Sequence, residues 1–211
     1  MAAARHSRKV TASTKDAVFE SAATLFASGG FDGVGVDDIA RDAGVNKAMI
    51  YYHFADKLAL YRAVLAEGLG RMGAIVHSIA TAQDAPSTKL DQFIEAFVRM
   101  TEQRPWMPAL MLREIAEGAP RLDAATMEHM RMVIASFASI LAQGQESGAF
   151  RRLHPILAYE SVIGPIIINA ARERVAAQPS RRNADFPMLV AISHADVIRH
   201  AQDTARRMLA P

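Results

Sequence analysis

The chain has 211 residues, of which 51% are hydrophobic, and it carries 24 Lys or Arg against 22 Asp or Glu. This composition excludes an intrinsically disordered protein, and the length suits one large domain or two small ones. The absence of cysteine excludes disulfides and thiolate metal ligands and fits a reducing cytosol. The longest strongly apolar run, residues 162–171, is about half a membrane span, so we expect a soluble, cytoplasmic protein without membrane contact.

A basic segment precedes the first predicted helix. Residues 1–15 contain no Asp or Glu and four basic residues, Arg5, Arg8, Lys9 and Lys15. We predict a disordered basic arm over residues 1–12. A helix over about 13–28 follows, with one apolar stripe, and the glycine pair at 29–30 ends it.

Residues 36–58, VDDIARDAGVNKAMIYYHFADKL, combine a short apolar-faced helix, an Ala-Gly turn and a second short helix. Ala40, Gly44 and Ile50 have the spacing of a helix-turn-helix, which needs a small crossing residue, a turn residue that tolerates positive φ, and an apolar anchor. The second helix of such a motif lies in the DNA major groove, so we predict DNA binding. The motif spans about residues 35–54 within a DNA-binding domain of residues 13–65.

Helical periodicity continues through the rest of the chain, and no segment alternates with the period of two that is typical of strands. A long helix is predicted over about 55–80, and the Asp-Ala-Pro-Ser stretch at 84–87 is a linker. Five further helices span about 87–103, 106–117, 122–146, 155–177 and 192–209. The predicted fold is all-α with about nine helices: an N-terminal three-helix unit and a larger C-terminal helical domain over residues 66–211.

The chain resembles the tetracycline-repressor (TetR) family of bacterial transcription regulators, most strongly over about residues 14–65. The matching segments are Ala-Ala-x-Leu-Phe at 22–26, Gly30-Phe31, Val-Asp-Asp-Ile-Ala at 36–40, Ala-Gly-Val at 43–45, and Tyr-Tyr-His-Phe at 51–54 followed by Lys57. The resemblance implies a homodimer that binds a palindromic operator in double-stranded DNA. It also implies that residues 66–211 form a ligand-binding and dimerisation domain for a small-molecule effector of unknown identity. Most members of the family are transcriptional repressors, so we expect a repressor that the effector releases from its operator.

The matched positions imply a set of DNA-binding residues: Gly35, Asn46, Lys47, Ala48, Met49, Tyr51, Tyr52, His53 and Lys57. Asn46 is a candidate N-cap of the recognition helix, and residues 47–49 open that helix toward base edges. The side chains at 51–53 and Lys57 resemble phosphate contacts, although the ring of Tyr51 could equally pack in the small core.

Two further features bear on DNA contact. Gly35 stands where the family often has Thr or Ser, so one hydroxyl contact is lost, but the backbone N–H could still meet a phosphate. The basic arm could reach phosphates or the minor groove, and a solubilising tail explains its composition equally well.

Large, soft apolar side chains concentrate between residues 93 and 137. Methionine adapts to varied ligands, and pockets between helices are mostly apolar with a few polar anchors. We predict a pocket for an apolar or amphipathic effector lined by Phe93, Phe97, Met100, Trp106, Met107, Leu110, Met111, Glu114, Met130, Phe137, Tyr159 and Asn169. An ordinary bundle core is the better explanation for any single methionine, and a surface salt bridge explains Arg113 and Glu114 equally well.

The predicted helix at about 155–177 is too broadly apolar for one stripe and contains Pro165, which removes a helical hydrogen bond. Part of its surface is expected to pack against a second copy, together with the last helix, as a four-helix bundle. The predicted interface residues are Ile156, Val162, Ile163, Ile166, Ile167, Val197 and Ala201. A helix wholly buried within one chain is the alternative.

Motifs for catalysis, metals and cofactors give no positive signal, so we expect no enzymatic activity, no metal and no cofactor. Residues 68–73, Gly-Leu-Gly-Arg-Met-Gly, match the dinucleotide fingerprint, but they lie inside a predicted helix and follow no strand. We interpret Gly68, Gly70 and Gly73 as a compliant joint in that helix. The alternative function is a small-molecule-binding protein or enzyme on the same helical fold without specific DNA binding.

Overall fold

The computed structural model describes residues 2–176 and 192–211 of the chain. Over these residues the fold consists of α-helices joined by turns and loops, without a strand. Within the described residues, the helices are α1 Ala2–Gly29, α2 Val36–Asp42, α3 Lys47–His53, α4 Lys57–Thr81, α5 Pro86–Gln103, α6 Met107–Ala116, α7 Ala124–Glu146, α8 Pro155–Ala176 and α9 His194–Leu209. The all-α prediction is confirmed, and the bounds of α4 to α9 differ from the predicted ones by about two residues at most.

The first helix begins earlier than predicted. α1 extends back to Ala2, through the segment that the sequence analysis assigned to a disordered arm. That segment contains no Gly or Pro, so no residue in it opposes a helix strongly. The predicted phosphate contacts of Arg5, Arg8 and Lys9 lie outside the described side chains, which begin at Thr14.

The chain divides into two compact units. The first contains the residues up to Glu67 together with Ala109–Thr126, and the second contains Gly68–Pro108 and Met127–Pro211. The first break is close to the predicted boundary at residue 65. The segment 109–126, which the sequence analysis placed in the C-terminal domain, instead packs with the N-terminal helices.

The first unit contains a small apolar core between α1, α2 and α3. Its buried side chains are Val18, Ala22 and Phe26 of α1, Ile39 and Ala40 of α2, Ile50 of α3, and Phe54. Gly30 directly after α1 and Gly44 between α2 and α3 have φ values of 73° and 65°, which strain a residue with a side chain. The two glycines therefore stand where the predicted turns require them, and the helix-turn-helix is confirmed.

A buried carboxylate links α6 to α4 within this unit. Glu114 is fully buried, and its Oε1 accepts hydrogen bonds from the Tyr61 hydroxyl at 2.7 Å and from Arg121 Nη1 at 3.0 Å. Burial raises the pKa of Tyr61 well above its usual range, and the hydrogen bond to Glu114 raises it further, so the phenol remains a donor. A carboxylate is costly to bury unless a cation and hydrogen-bond donors meet it, so these contacts fix where α6 lies in the unit.

Arg121 connects the same carboxylate to the loop that follows α1. Its guanidinium lies 4.9 Å from the centre of the Phe31 ring and pairs with Asp32 at 3.2 Å and with Glu117 at 2.5 Å. Its carbonyl oxygen accepts a hydrogen bond from Arg62 Nε at 2.8 Å. Side chains from three separate stretches of the sequence therefore contact Arg121, two of them at its guanidinium and one at its carbonyl oxygen.

The second unit has a larger apolar core, to which α4, α5, α7, α8 and α9 contribute. α9 lies along α5: Gln202 Nε2 donates to the carbonyl oxygen of Asp91 at 3.1 Å, and Arg206 Nε donates to Asp91 Oδ1 at 3.1 Å. The buried ammonium of Lys89 donates to Gln143 Oε1 at 2.6 Å and to the carbonyl oxygen of Ala80 at 3.1 Å. These polar contacts satisfy the groups that the packing of the unit removes from water.

The three glycines of α4 lie where side chains of other helices approach closely. A Cβ at Gly68 would lie 2.8 Å from Met107 Sδ, one at Gly70 3.2 Å from His129 Nε2, and one at Gly73 3.2 Å from Met132 Sδ. Close packing is therefore a structural reason for glycine at these three positions, separate from the compliant joint that the sequence suggested. Replacing them with Ala is expected to displace neighbouring side chains, and not simply to strengthen the helix.

Replacing Arg121 with Met tests the buried carboxylate. We expect Arg121→Met to lower the free energy of unfolding by about 3 kcal/mol, because the Glu114 carboxylate loses its cation while it remains buried. The measurement is urea denaturation. Arg131→Met, which breaks an exposed pair with Glu128, is the matched control and should cost less than about 1 kcal/mol.

A second change separates charge from packing at this site. Glu114→Gln in the Arg121→Met background removes the unpaired charge and should recover most of the lost stability. Equal losses for Arg121→Met and Arg131→Met would show that the buried pair does not hold the unit together.

Candidate nucleic-acid interface and ligand pocket

The first turn of α3 faces solvent. Asn46 is the N-cap, and its Oδ1 accepts a hydrogen bond from the backbone N–H of Ala48 at 2.9 Å, as predicted. Asn46, Lys47 and Ala48 are exposed, Met49 is half-buried, and Ile50 is buried in the core beneath. The Asn46 cap and the buried Ile50 together orient α3 so that Lys47 faces solvent.

Lys47 is already paired in this structure. Its Nζ lies 2.8 Å from Asp37 Oδ2 in the first turn of α2, and both side chains are exposed. The hydrogen bond to Asp37 raises the pKa of Lys47, so the ammonium stays charged. Asp37 is not among the predicted DNA-binding residues, because its pairing with Lys47 crosses the turn and follows no helical spacing.

The aromatic residues at the end of α3 differ in their exposure to solvent. Tyr51 is 49% exposed and Tyr52 is 74% exposed, so the ring of Tyr51 does not pack in the core. His53 differs, since its Nε2 is buried without a hydrogen-bond partner among the described residues. Its ring centre lies 5.0 Å from that of Tyr52, in an edge-to-face arrangement. The two phenols are thus accessible for contact, whereas Nε2 of His53 is not.

Gly35 and Lys57 support the loop before α2. Gly35 is the N-cap of α2, but its N–H donates to Asp38 Oδ2 at 3.0 Å, so the donor expected to be available for a phosphate is already used. Lys57 Nζ donates to the carbonyl oxygens of Phe31 at 2.9 Å and Val34 at 3.1 Å, and lies 4.2 Å from the Phe31 ring centre. Two of the three donors of this ammonium therefore hold the loop.

Four of the predicted pocket residues form an aromatic cluster in the second unit. The ring centres of Phe93 and Phe97 lie 5.0 Å apart, those of Phe93 and Phe137 5.3 Å, and those of Phe137 and Tyr159 5.6 Å. The three phenylalanines are buried, and burial raises the pKa of Tyr159 to about 12. These four predicted residues therefore lie together, but their rings fill the space between them.

The other predicted pocket residues are spread over both units. Leu110, Met111 and Glu114 belong to the first unit, where Glu114 has the structural pairing described above. In the second unit Trp106 and Met107 are buried and Met130 is half-buried. Asn169 Nδ2 donates to Glu173 Oε1 at 2.9 Å, and its Oδ1 accepts from Arg172 at 2.9 Å.

A cavity of about 260 Å³ lies between α4 and α5 in the second unit. Of the predicted pocket residues, Met100 lines it. The complete lining is Gly68, Arg71, Met72, Ile75, Gln92, Glu95, Ala96, Arg99, Met100, Gln103 and Arg104. Its arginines are not among the predicted pocket residues, because Arg99 and Glu95 have the spacing of an ordinary exposed helical ion pair.

The predicted dimer residues differ in accessibility. Val162, Ile163 and Ile166 are buried in the core of their own chain, and Ile167, Val197 and Ala201 pack partly against it. Ile156 is 40% exposed. α8 also carries an exposed stripe that the prediction did not include, with the spacing of one helix face: Leu157, Ser161, Pro165 and Ile168.

The described residues offer no group of three or more His, Cys, Asp or Glu side chains placed to hold a metal ion. Over residues 2–176 and 192–211, the helices also lack the combination of length and apolarity needed to cross a bilayer.

Both parts of the chain match known families. The family described as bacterial regulatory proteins, tetR family, matches residues 18–64, and the tetracyclin repressor-like C-terminal domain matches residues 86–178. The HTH-type transcriptional regulator RutR of Escherichia coli (strain K12) is 30% identical over 152 residues, which cover 72% of this chain and 70% of that protein. The negative regulator IcaR of Staphylococcus aureus (strain Newman) is 31% identical over 90 residues, covering 43% of this chain and 48% of that one.

Solved structures share the fold. PfmR of Thermus thermophilus, a TetR family transcriptional regulator, has a TM-score of 0.71 and 25% identity, covering 92% of this chain and 99% of that one. The ketosteroid transcriptional regulator KstR2 of Mycobacterium tuberculosis has a TM-score of 0.73 and 20% identity, covering 92% of this chain and 93% of that one. With the capped α3 on its three-helix core, these matches establish that the chain belongs to the tetR family of bacterial transcriptional regulators.

Proposed function

We propose that the protein is a homodimeric repressor that binds a palindromic operator through α3 and is released by a small-molecule effector. The observation that carries this proposal is the exposed first turn of α3, where the Asn46 cap presents Lys47 and Ala48 to solvent above the buried Ile50. The first turn of α3 consists of small and basic residues, and the buried Ile50 anchors the helix to the core. Such a turn can enter the DNA major groove.

The phosphate contacts are proposed for the two exposed phenols. Tyr51 and Tyr52 present hydroxyl groups at the end of α3, and hydroxyl groups are common phosphate ligands. Lys57 and Gly35 contribute mainly by holding the loop before α2, so a phosphate contact from Lys57 would use its remaining donor. For His53 we propose support of the Tyr52 ring and not a contact through Nε2.

The charge of the DNA-binding unit makes the individual cations important. Residues 14–67 contain eight Asp or Glu and five basic residues, Lys15, Arg41, Lys47, Lys57 and Arg62. Attraction to DNA grows with the number of phosphates that cations neutralise. We therefore propose that the basic residues at positions 5, 8 and 9 supply part of the attraction that residues 14–67 lack.

The proposed dimer uses the exposed face of α8. Leu157 and Ile168 are large apolar side chains at its two ends, with the small Ser161 and Pro165 between them. A stripe of this kind allows two copies of α8 to approach closely, and self-complementary packing of one surface generates a two-fold symmetric dimer. Such a dimer would present two α3 helices to the two half-sites of a palindrome.

Footprinting of the purified protein on the DNA upstream of its own gene tests the operator proposal. We expect a discrete palindromic footprint, and Lys47→Ala should weaken binding about tenfold and reduce the salt slope by about one. Tyr52→Phe should weaken binding less, since only one hydroxyl is removed. Arg131→Ala changes the charge equally in the second unit and should leave the footprint unchanged. Diffuse binding that Lys47→Ala and Arg131→Ala weaken equally would favour the small-molecule-binding or enzymatic alternative without specific DNA recognition.

Asp37→Asn tests whether the ion pair restrains DNA binding. We expect the operator affinity to rise several-fold at low salt, because Lys47 no longer exchanges Asp37 for a phosphate and a negative charge next to DNA is removed. Fluorescence anisotropy across a salt series gives the affinity and the slope. Glu128→Gln, an exposed acid that also pairs with an arginine, is the control. The interpretation fails if Asp37→Asn gains as much in the Lys47→Ala background as in the native chain.

Leu157→Asp tests the dimer face. An unpaired charge buried in an apolar interface is costly, so we expect the dimer to dissociate at least about tenfold more readily by analytical ultracentrifugation. Ile115→Asp is closely matched, because Ile115 is 64% exposed and Leu157 is 61% exposed. Ile115 belongs to the first unit, and its substitution should leave the dimer intact. Dissociation by both variants, or by neither, would contradict the proposed face.

A further inference from the structure

We infer that α3 identifies its operator mainly through the C5-methyl group of one thymine in each half-site, which contacts the side chain of Ala48. This inference rests on the proposed function and adds the chemistry by which the helix distinguishes one base pair from another. The lysine and the tyrosines of α3 then supply affinity through phosphates, whereas Ala48 selects the sequence.

The outward face of α3 carries four side chains. Lys47, Ala48, Tyr51 and Tyr52 are exposed, and Ile50 is buried in the core. Residues three and four apart are neighbours on the surface of a helix, so Ala48 lies beside both tyrosines. A duplex that meets this face therefore meets a methyl group next to two phenols.

Few groups near this face can read a base edge with paired hydrogen bonds. Adenine is read in this way by asparagine or glutamine, guanine by arginine or lysine, and cytosine by an acidic residue. Asn46 precedes the helix, and its Oδ1 accepts a hydrogen bond from the backbone N–H of Ala48 at 2.9 Å. Reading adenine requires Oδ1 and Nδ2 together, so the cap bond commits this amide to its own helix.

Lys47 is the other group that could donate to a base. Its ammonium lies 2.8 Å from Asp37 Oδ2, in the first turn of α2, and both side chains are exposed. An ammonium is a point charge on a flexible stem, so it selects a direction less strictly than a planar guanidinium. Exchange of Asp37 for a phosphate supplies attraction to DNA of any sequence, which leaves base selection to another residue.

The side chain of Ala48 suits one base in particular. Of the four standard bases, thymine alone carries a methyl group in the major groove, and apolar side chains recognise it by direct contact. Ala48 is exposed and has no side-chain donor or acceptor to satisfy, and its small size lets the helix approach the base closely. Met49 is the rival apolar residue, but it is half-buried, so less of its surface is accessible.

Deoxyuridine tests this contact, because it removes only the C5-methyl group and leaves base pairing intact. The operator is first isolated with the full-length protein by selection from a random duplex library, and each thymine is then replaced in turn. We expect one position per half-site at which the change weakens binding about fourfold, and about fifteenfold when both half-sites are changed, as for burial of one methyl group at each. Fluorescence anisotropy gives the affinities. Deoxyuridine in the flanking DNA is the control and should have no effect.

A base-pair exchange separates the methyl group from the hydrogen-bonding edge of thymine. Replacing the sensitive T·A pair with C·G should weaken binding at least as much as deoxyuridine does. Pairing 5-methylcytosine with guanine at the same position restores the methyl group and should recover most of the loss. Binding that 5-methylcytosine does not recover would show that the edge of the base is read and would overturn the inference.

Variants locate the contact on the protein. In Ala48→Gly the ratio of affinities for thymine and deoxyuridine duplexes should fall from about four to near one. Glycine also weakens the helix, but this effect is common to both duplexes and cancels in the ratio. Met49→Ala is the matched control and should keep the ratio, and circular dichroism shows that both variants are folded. A ratio that Ala48→Gly leaves unchanged, or that Met49→Ala abolishes, would overturn the assignment to Ala48.

Failure of this inference and failure of the proposed function give different results. An enriched palindrome without a deoxyuridine-sensitive thymine would overturn the methyl contact and leave the operator-binding repressor in place. Selection that enriches no sequence, together with diffuse and salt-labile binding, would overturn both, because there would be no operator to read.

Discussion

Burial of one carboxylate determines how the first unit is assembled. Glu114 cannot leave water without partners, so Tyr61 of α4 and Arg121, which follows α6, must lie within hydrogen-bond distance of it. Arg121 also contacts the loop after α1, through Asp32 and the Phe31 ring. The helices that orient α3 are consequently not an independent miniature domain. A segment from the middle of the chain completes them, and its position depends on a network whose members are costly to remove singly.

The two lysines expected to contact DNA, Lys47 and Lys57, already have partners within the chain. These partners reduce the free energy that the two lysines would contribute to DNA binding. Lys47 would exchange Asp37 for a phosphate, and Lys57 holds two carbonyl oxygens with part of its donor set. An exchanged ion pair yields less free energy than a new one. In return, Lys57 is already held by its two acceptors, so less conformational entropy is lost when its remaining donor meets a phosphate. This balance favours specific contact over simple accumulation of positive charge.

The sequence predicted the structural elements that depend on interactions between residues close together in the chain. Ala40, Gly44 and Ile50 define the helix-turn-helix within eleven residues, and both the α3 cap and the turns are found where the pattern required them. The long-range pairs were not predictable in this way. Glu114 lies 53 residues from Tyr61, and its sequence neighbours fit a surface salt bridge equally well. Periodicity identifies the face of a helix, but it does not identify the helix that will meet that face.

The same limit explains why the predicted pocket and the observed groove differ. Apolar periodicity marks residues that leave water, and it treats a filled core and an empty pocket alike; the rings of Phe93, Phe137 and Tyr159 proved to fill their own space. A groove instead forms where two helix faces meet without filling the space between them, and Ala96 of α5 is small enough to permit this opposite α4.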